Sequence, residues 1–173
     1  VVRESELLDR DRRRQRDDGQ ADAAHAERGH RHEQPEHRRE RNCDQRRKRE
    51  LDAAVRLIKA APAVYIVGLR RSFPVASYLA YALRHVDDKR AYLLDGVAGM
   101  LVEQSGMVQK NDLLIAISFK PYALETADVV ASALARDARV IAITDTRLSP
   151  VARGADVVFE TKDAEVRQFR SLT

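Results

Sequence analysis

Two short apolar runs, each ending at a turn that carries a serine, constrain this chain more than any other feature. The first lies in Pro62-Ala-Val-Tyr-Ile-Val-Gly-Leu-Arg-Arg-Ser72. Its apolar stretch stops at Gly68, and four residues later Ser72 opens a helical pattern from Phe73 to Val86. The second is Leu113-Leu-Ile-Ala-Ile-Ser118, with Lys120-Pro121 in the turn and another helical pattern behind it. Continuously apolar runs of this length, bounded by turn residues, suit strands of a parallel sheet buried on both faces. A strand followed by a tight turn and a helix leaves unpaired N–H groups and partial positive charge at the helix start, where anions bind. The duplication predicts two strand ends that each bring a serine to the start of a helix.

The remainder of residues 51–173 repeats the alternation. Leu51, Ala54, Val55 and Ile58 form one stripe of an amphipathic helix that Pro62 ends. The helix after Ser72 carries Pro74 in its first turn, where a missing N–H costs nothing. Its apolar residues run nearly all round, which predicts burial against the sheet on one side and another subunit on the other. A second strand is predicted at 90–94, a helix over 97–107, a turn at Asn111-Asp112 and the third strand at 113–118. A helix over 122–135, a strand at 139–144, a short helix from Ser149-Pro150 and a fifth strand at 156–160 follow, with a further helix beginning in 163–173. Such alternation implies an α/β fold of three layers, helix, five-stranded parallel sheet and helix. In the order 2-1-3-4-5 the strand order reverses between the first and third strands, and ligands bind outside the carboxyl ends of strands at that point. Those two strands lead to Ser72 and Ser118, so fold rule and duplicated motif select one place.

Composition separates this domain from the segment before it. Residues 1–50 hold Val1, Val2, Leu7 and Leu8 and then no large aliphatic side chain until Leu51. Basic clusters at Arg12-Arg13-Arg14, Arg38-Arg39 and Arg46-Arg47-Lys48-Arg49 alternate with acids. So few apolar groups cannot offset the entropy of ordering, and the segment reads as disordered or as an irregular solvated helix. The interleaved acids oppose binding to nucleic acid phosphates. His25, His30, His32, His37 and Cys43 lack the spacing of a zinc finger, so no metal site is expected. The abrupt change at Leu51 also fits GC-rich DNA read in another frame, which leaves the native status of residues 1–50 open. The single cysteine excludes an internal disulfide and suits a reducing compartment. No run approaches the ~20 apolar residues of a membrane span, and no signal-peptide core opens the sequence. The expectation is a cytoplasmic protein with no membrane partner.

Gly68-x-x-x-Ser72, Ala116-Ile-Ser118 and Val140-Ile-Ala-Ile-Thr-Asp145 with Ser149-Pro150 resemble the sugar isomerase (SIS) domain. Ile117-Ser-Phe-Lys-Pro-Tyr-Ala-Leu-Glu-Thr126 is most similar to the SIS domain of RpiR-type bacterial transcriptional regulators. The resemblance covers 51–173 and ends before the last helix of that family. It implies a sugar-phosphate sensor, dimeric or tetrameric, without a cofactor, that reaches DNA through a helix-turn-helix domain absent from this chain. Ser72 matches the serine of a Gly-x-Gly-x-Ser motif, and Ser118 the leading serine of Ser-x-Ser-Gly-x-Thr. Arg70 replaces the second glycine of the first motif. Lys120, Pro121 and Ala123 stand where the second has Ser, Gly and Thr. Hydroxyl donors are lost and two cations gained beside the expected anion, where an Arg grips bidentately and a Lys acts as a point charge.

The candidate ligand-binding residues are therefore Gly68, Arg70, Ser72, Ser118, Lys120 and Glu125. As a sensor the domain needs no catalytic residue. An aldose–ketose phosphosugar isomerase on the same fold would need a base beside the substrate carbon, and Glu125 is the candidate. A third reading is a dimerisation remnant without a ligand. The plainer roles are an N-cap for Ser72, worth ~1 kcal/mol, solvated loop charges for Arg70, Arg71 and Lys120, and a carboxylate favoured by the helix dipole for Glu125.

Overall fold

The apolar runs become strands because both of their faces find cover. The computed structural model describes residues 35–86 and 89–161, together with the backbone of 164–166 and 169–171. The cluster at 12–14 and the histidines at 25, 30 and 32 lie outside the described residues. The chain divides into two units, Val1–Cys43 and Asp44–Thr173, and the sheet belongs to the second. In order, the elements are α1 (Pro35–Ala60), β1 (Val64–Gly68), α2 (Phe73–Arg84), β2 (Ala91–Leu94), α3 (Leu101–Gly106) and β3 (Leu113–Ile117). Then come α4 (Leu124–Ala135), β4 (Arg139–Thr144), β5 (Val157–Glu160), β6 (Ala164–Val166) and β7 (Phe169–Ser171).

Strands β1 to β5 form one sheet in the order β2-β1-β3-β4-β5, and every pairing is parallel. Alternate residues of each strand enter different cores. Val64, Ile66, Leu113, Ile115, Ile117 and Ile141 pack with Ala54 of α1 and Ala76, Ala80 and Leu83 of α2. Tyr65, Val67, Leu114, Ala116, Val140 and Ala142 pack with Val129, Val130 and Ala133 of α4, and Leu101 of α3 lies against them. Each fully buried Val, Leu or Ile contributes ~1.5–3 kcal/mol, so a double-sided apolar strand fixes the three-layer fold. The register sets Gly68 beside Ile117. The chain therefore leaves the sheet side by side at Leu69 and Ser118.

Several elements differ from the sequence pattern, each for a local reason. Helix α1 begins at Pro35 instead of Leu51. Its first half has no apolar stripe to announce it, but the Arg46–Glu50 pair, at i and i+4, supports the helix. Within its predicted stripe Ala54 is buried, while Leu51 and Val55 are exposed. The helix expected over 97–107 is interrupted by left-handed backbone at Gly96, Ala98 and Gly99 and becomes a 3-10 turn followed by α3. Residues 163–173 hold the short antiparallel pair β6–β7 instead of a new helix, with Glu165 in register with Arg170. Within the chain α2 buries only one face, and Tyr78 and Tyr81 are exposed on it.

Candidate functional site

The β1 exit is shaped by Gly68. A Cβ there would stand 2.9 Å from the Ala76 Cβ and 3.0 Å from the Ser72 carbonyl oxygen, so only glycine lets α2 settle on the strand this closely. The next residues form a 3-10 turn over Arg70–Ser72, in which the Ser72 N–H donates to the Leu69 carbonyl at 3.1 Å. Arg70 has φ +56°, the left-handed conformation that a glycine adopts freely. The position that resembles a motif glycine thus keeps a glycine's backbone while carrying a guanidinium. Ser72 occupies the N-cap position of α2 in right-handed helical geometry and forms no capping hydrogen bond. Its capping role is not realised, and its hydroxyl, on a residue 2% exposed, bonds to no other described residue.

Ser118 is placed differently from its expected position at a helix start. It ends the β3 run, its N–H donating to the Ile143 carbonyl at 3.1 Å, and α4 begins only at Leu124 behind an Ala123 N-cap. The helix cannot run on directly from Ser118, because Pro121 disfavours helical geometry at Lys120; the Lys120–Pro121 bond is cis. Ser118 is 3% exposed, and its hydroxyl likewise bonds to no other described residue.

The two exits converge on a pocket of about 150 Å³ lined by Leu69, Arg70, Arg71, Ser72, Ser118, Phe119, Pro121 and Ala123. Three of the six candidates, Arg70, Ser72 and Ser118, therefore line one cavity. Gly68 lies beneath it as a packing residue. Lys120 contributes its carbonyl, which accepts from the Arg71 guanidinium at 2.5 Å and ties the two loops together. Glu125 lines a second, larger cavity and pairs with Arg70 at 3.8 Å across the boundary between them. Both side chains of that pair are more than half exposed, so solvent screens it.

Two features were not visible as part of the site in the sequence. The Tyr122 hydroxyl donates to the Asp145 carboxylate at 2.9 Å and pins the β3–α4 loop to the end of β4. Thr144, fully buried, donates to the same oxygen at 3.2 Å. Burial and the Asp145 hydrogen bond push the Tyr122 phenol up to about 12. The second is the larger cavity, about 540 Å³, between the loop after β2, α3 and α4. At its edge the Gln104 side-chain amide and the Val97 N–H donate to Asp95 and hold its carboxyl below the usual range. No cluster of His, Cys, Asp and Glu suited to a metal ion occurs among the described residues, and no described helix is long and apolar enough to cross a membrane.

Chemically, the smaller pocket offers the hydroxyl donors of two buried serines, a helix N-terminus and neighbouring guanidinium groups. That set complements a compact anion. Comparison with known proteins points to the same fold. Residues 57–171 match the SIS domain family. The sugar isomerase domain of an RpiR transcription factor from Sphaerobacter thermophilus superimposes with a TM-score of 0.67 at 29% identity, over 74% of this chain and 73% of that one. The Vibrio vulnificus NanR protein, complexed with ManNAc-6P, superimposes with a TM-score of 0.60 at 22% identity, over 66% of this chain and 43% of that one. A Methanococcus jannaschii protein inferred to be a 3-hexulose-6-phosphate isomerase gives 0.56 at 24% identity, over 68% and 63%. The last two, each matched over less than two thirds of its own length, are likenesses of fold alone.

Proposed function

The chain belongs to the SIS domain family, and on that premise we propose that it is the phosphosugar-binding sensor domain of a transcriptional regulator. One observation carries the reading. Two serines, 2% and 3% exposed, line a pocket at the strand-order reversal with hydroxyls that bond to no other described residue. Hydroxyls that line the pocket and are not spent on the fold can donate to a phosphate whose oxygens accept from Ser72 and Ser118. Arg70 and Arg71 add charge at the rim, and the positive end of α2 favours the anion. The likeness to an RpiR sugar isomerase domain supports the regulatory role. In this reading the domain acts in the cytoplasm as a homodimer or tetramer, and DNA is contacted by a domain outside these residues.

A second reading, aldose–ketose isomerisation of a phosphosugar, is favoured by Glu125. Its carboxylate lies 3.8 Å from Arg70 at the border of the two cavities, within reach of a ligand that spans both. One experiment separates the two. The chain is titrated calorimetrically with aldose phosphates, and each mixture is assayed for the ketose. Saturable binding without ketose supports the sensor. Ketose formation that is lost in Glu125→Gln supports the isomerase and contradicts the sensor.

A further inference from the structure

The pocket that holds the two serines is too small for the ligand it is meant to sense. About 150 Å³ accommodates a phosphate group, whereas ligand pockets usually begin near ~300 Å³. The remainder of a bound phosphosugar must lie elsewhere. The 540 Å³ groove adjoins the pocket: Leu69 lines both, and Arg70 of one pairs with Glu125 of the other.

The groove has a distinct chemistry. Its polar lining is three carboxylates, Asp95, Glu125 and Asp128, and two hydroxyls, Ser105 and Ser132. Leu69, Leu101, Val102 and Val129 supply apolar surface. No Lys or Arg lines it. The cations that touch its lining are already engaged there, Arg70 with Glu125 and Arg136 with the Ser132 hydroxyl. Carboxylates accept hydrogen bonds from hydroxyl or ammonium groups and repel a second anion. The C–H face of a sugar packs on aliphatic side chains.

We propose that the groove is the subsite for the sugar body, and that it selects a monophosphate whose body carries hydroxyl or amino groups and no second anionic group. The inference rests on the phosphate-pocket reading above and adds the ligand class. Asp128 is the specificity residue. It is exposed at the groove wall on α4, so its substitution leaves the core intact.

The test uses the whole chain and four probes: inorganic phosphate, glucose 6-phosphate, glucosamine 6-phosphate and 6-phosphogluconate. Dissociation constants are measured for the parent chain, Asp128→Asn, Asp128→Arg and Ser118→Ala. The expected result is that both neutral-bodied and amino-bearing phosphates bind more tightly than 6-phosphogluconate. Asp128→Asn should weaken them about tenfold while leaving inorganic phosphate unchanged, the size of one charge-assisted hydrogen bond. Asp128→Arg should narrow or invert the preference against 6-phosphogluconate. Ser118→Ala should weaken all four probes alike. Sugar phosphates that bind, lose affinity in Ser118→Ala and ignore both Asp128 substitutions would overturn the groove assignment and keep the phosphate pocket. The same holds if 6-phosphogluconate binds the parent chain as tightly as the others. No binding of any probe to a folded chain would overturn the pocket reading and the groove with it.

Discussion

The two strand exits reach one pocket by opposite means. At β1 the turn is minimal. Gly68 admits α2, Arg70 takes a left-handed conformation, and the helix starts at Phe73 directly behind Ser72. At β3 the serine sits at the strand end, and a longer loop through Phe119, Pro121 and Tyr122 separates it from α4. The first exit is shaped chiefly by close backbone packing of α2 on Gly68, with Arg71 reaching across to the other loop. The second is held by side chains, through Arg71 to the Lys120 carbonyl and Tyr122 to Asp145. Equivalent hydroxyls can therefore rest on unlike supports. Damage at the β1 exit should spread into the fold, while damage at the β3 exit should remain local.

The largest effect that would break this contrast is expected at Gly68. Gly68→Ala puts a methyl group within 2.9 Å of Ala76 and 3.0 Å of the Ser72 carbonyl. Overpacking of this kind costs ~1–3 kcal/mol, and the upper end is expected because one neighbour is backbone. Urea unfolding that shows no loss would mean that α2 does not press on β1. Tyr122→Phe comes next. It removes one hydrogen bond to a carboxylate and should cost about 1–2 kcal/mol, with weaker phosphate binding through a looser β3–α4 loop. Its pH signature has a definite sign. The folded phenol lies at about 12, above the ordinary tyrosine value of 10.0, so the stabilisation is complete below pH 10 and is lost as pH rises toward 12. Burial raises the Tyr65 phenol as well, so absorbance titration should show late tyrosine titration that is reduced, but not abolished, in Tyr122→Phe.

A smaller effect sharpens the picture at Arg70. An ordinary residue in the left-handed region costs ~1–2 kcal/mol. Glycine relieves that cost but adds ~0.4–1 kcal/mol of unfolded-state entropy, and the exposed pair with Glu125 is worth ~0–1 kcal/mol. Arg70→Gly should thus change stability by less than about 1 kcal/mol while weakening anion binding. The smallest effect on stability is expected at the serine itself. An engaged N-cap is worth ~1 kcal/mol, yet the Ser72 hydroxyl makes no capping bond. Ser72→Ala should stay within ~0.5 kcal/mol of the parent in thermal unfolding. A loss of a full kcal/mol or more would return Ser72 to a structural role.

The sheet was readable in the sequence because its central strands are apolar on both faces. The patterns at 63–68, 113–118 and 139–144 fall within a residue of β1, β3 and β4. Such runs need no knowledge of partners. The early start of helix α1 is not legible because residues 35–50 carry no hydrophobic periodicity; the Arg46–Glu50 pair lies in that stretch. The break before α3 was missed because Ala98 adopts a left-handed conformation that its identity does not announce. At the site, Arg70, Ser72 and Ser118 could be paired from strand order. The placement of Glu125 across from Arg70, the Tyr122–Asp145 link and the groove between α3 and α4 arise only when distant segments meet. No spacing rule encodes those contacts.

The most direct test of the account is the melting temperature of the chain with sugar phosphates, each paired with its unphosphorylated sugar, in the parent and in Ser72→Ala and Ser118→Ala. A ligand at 100 times its dissociation constant adds ~2.7 kcal/mol to stability, a shift of several degrees for a domain of this size. The account predicts such a shift with at least one phosphosugar, none with the free sugar, and loss of the shift in both serine variants although each melts close to the parent. A shift that persists without the phosphate, or that survives both substitutions, would contradict the two-serine anion site.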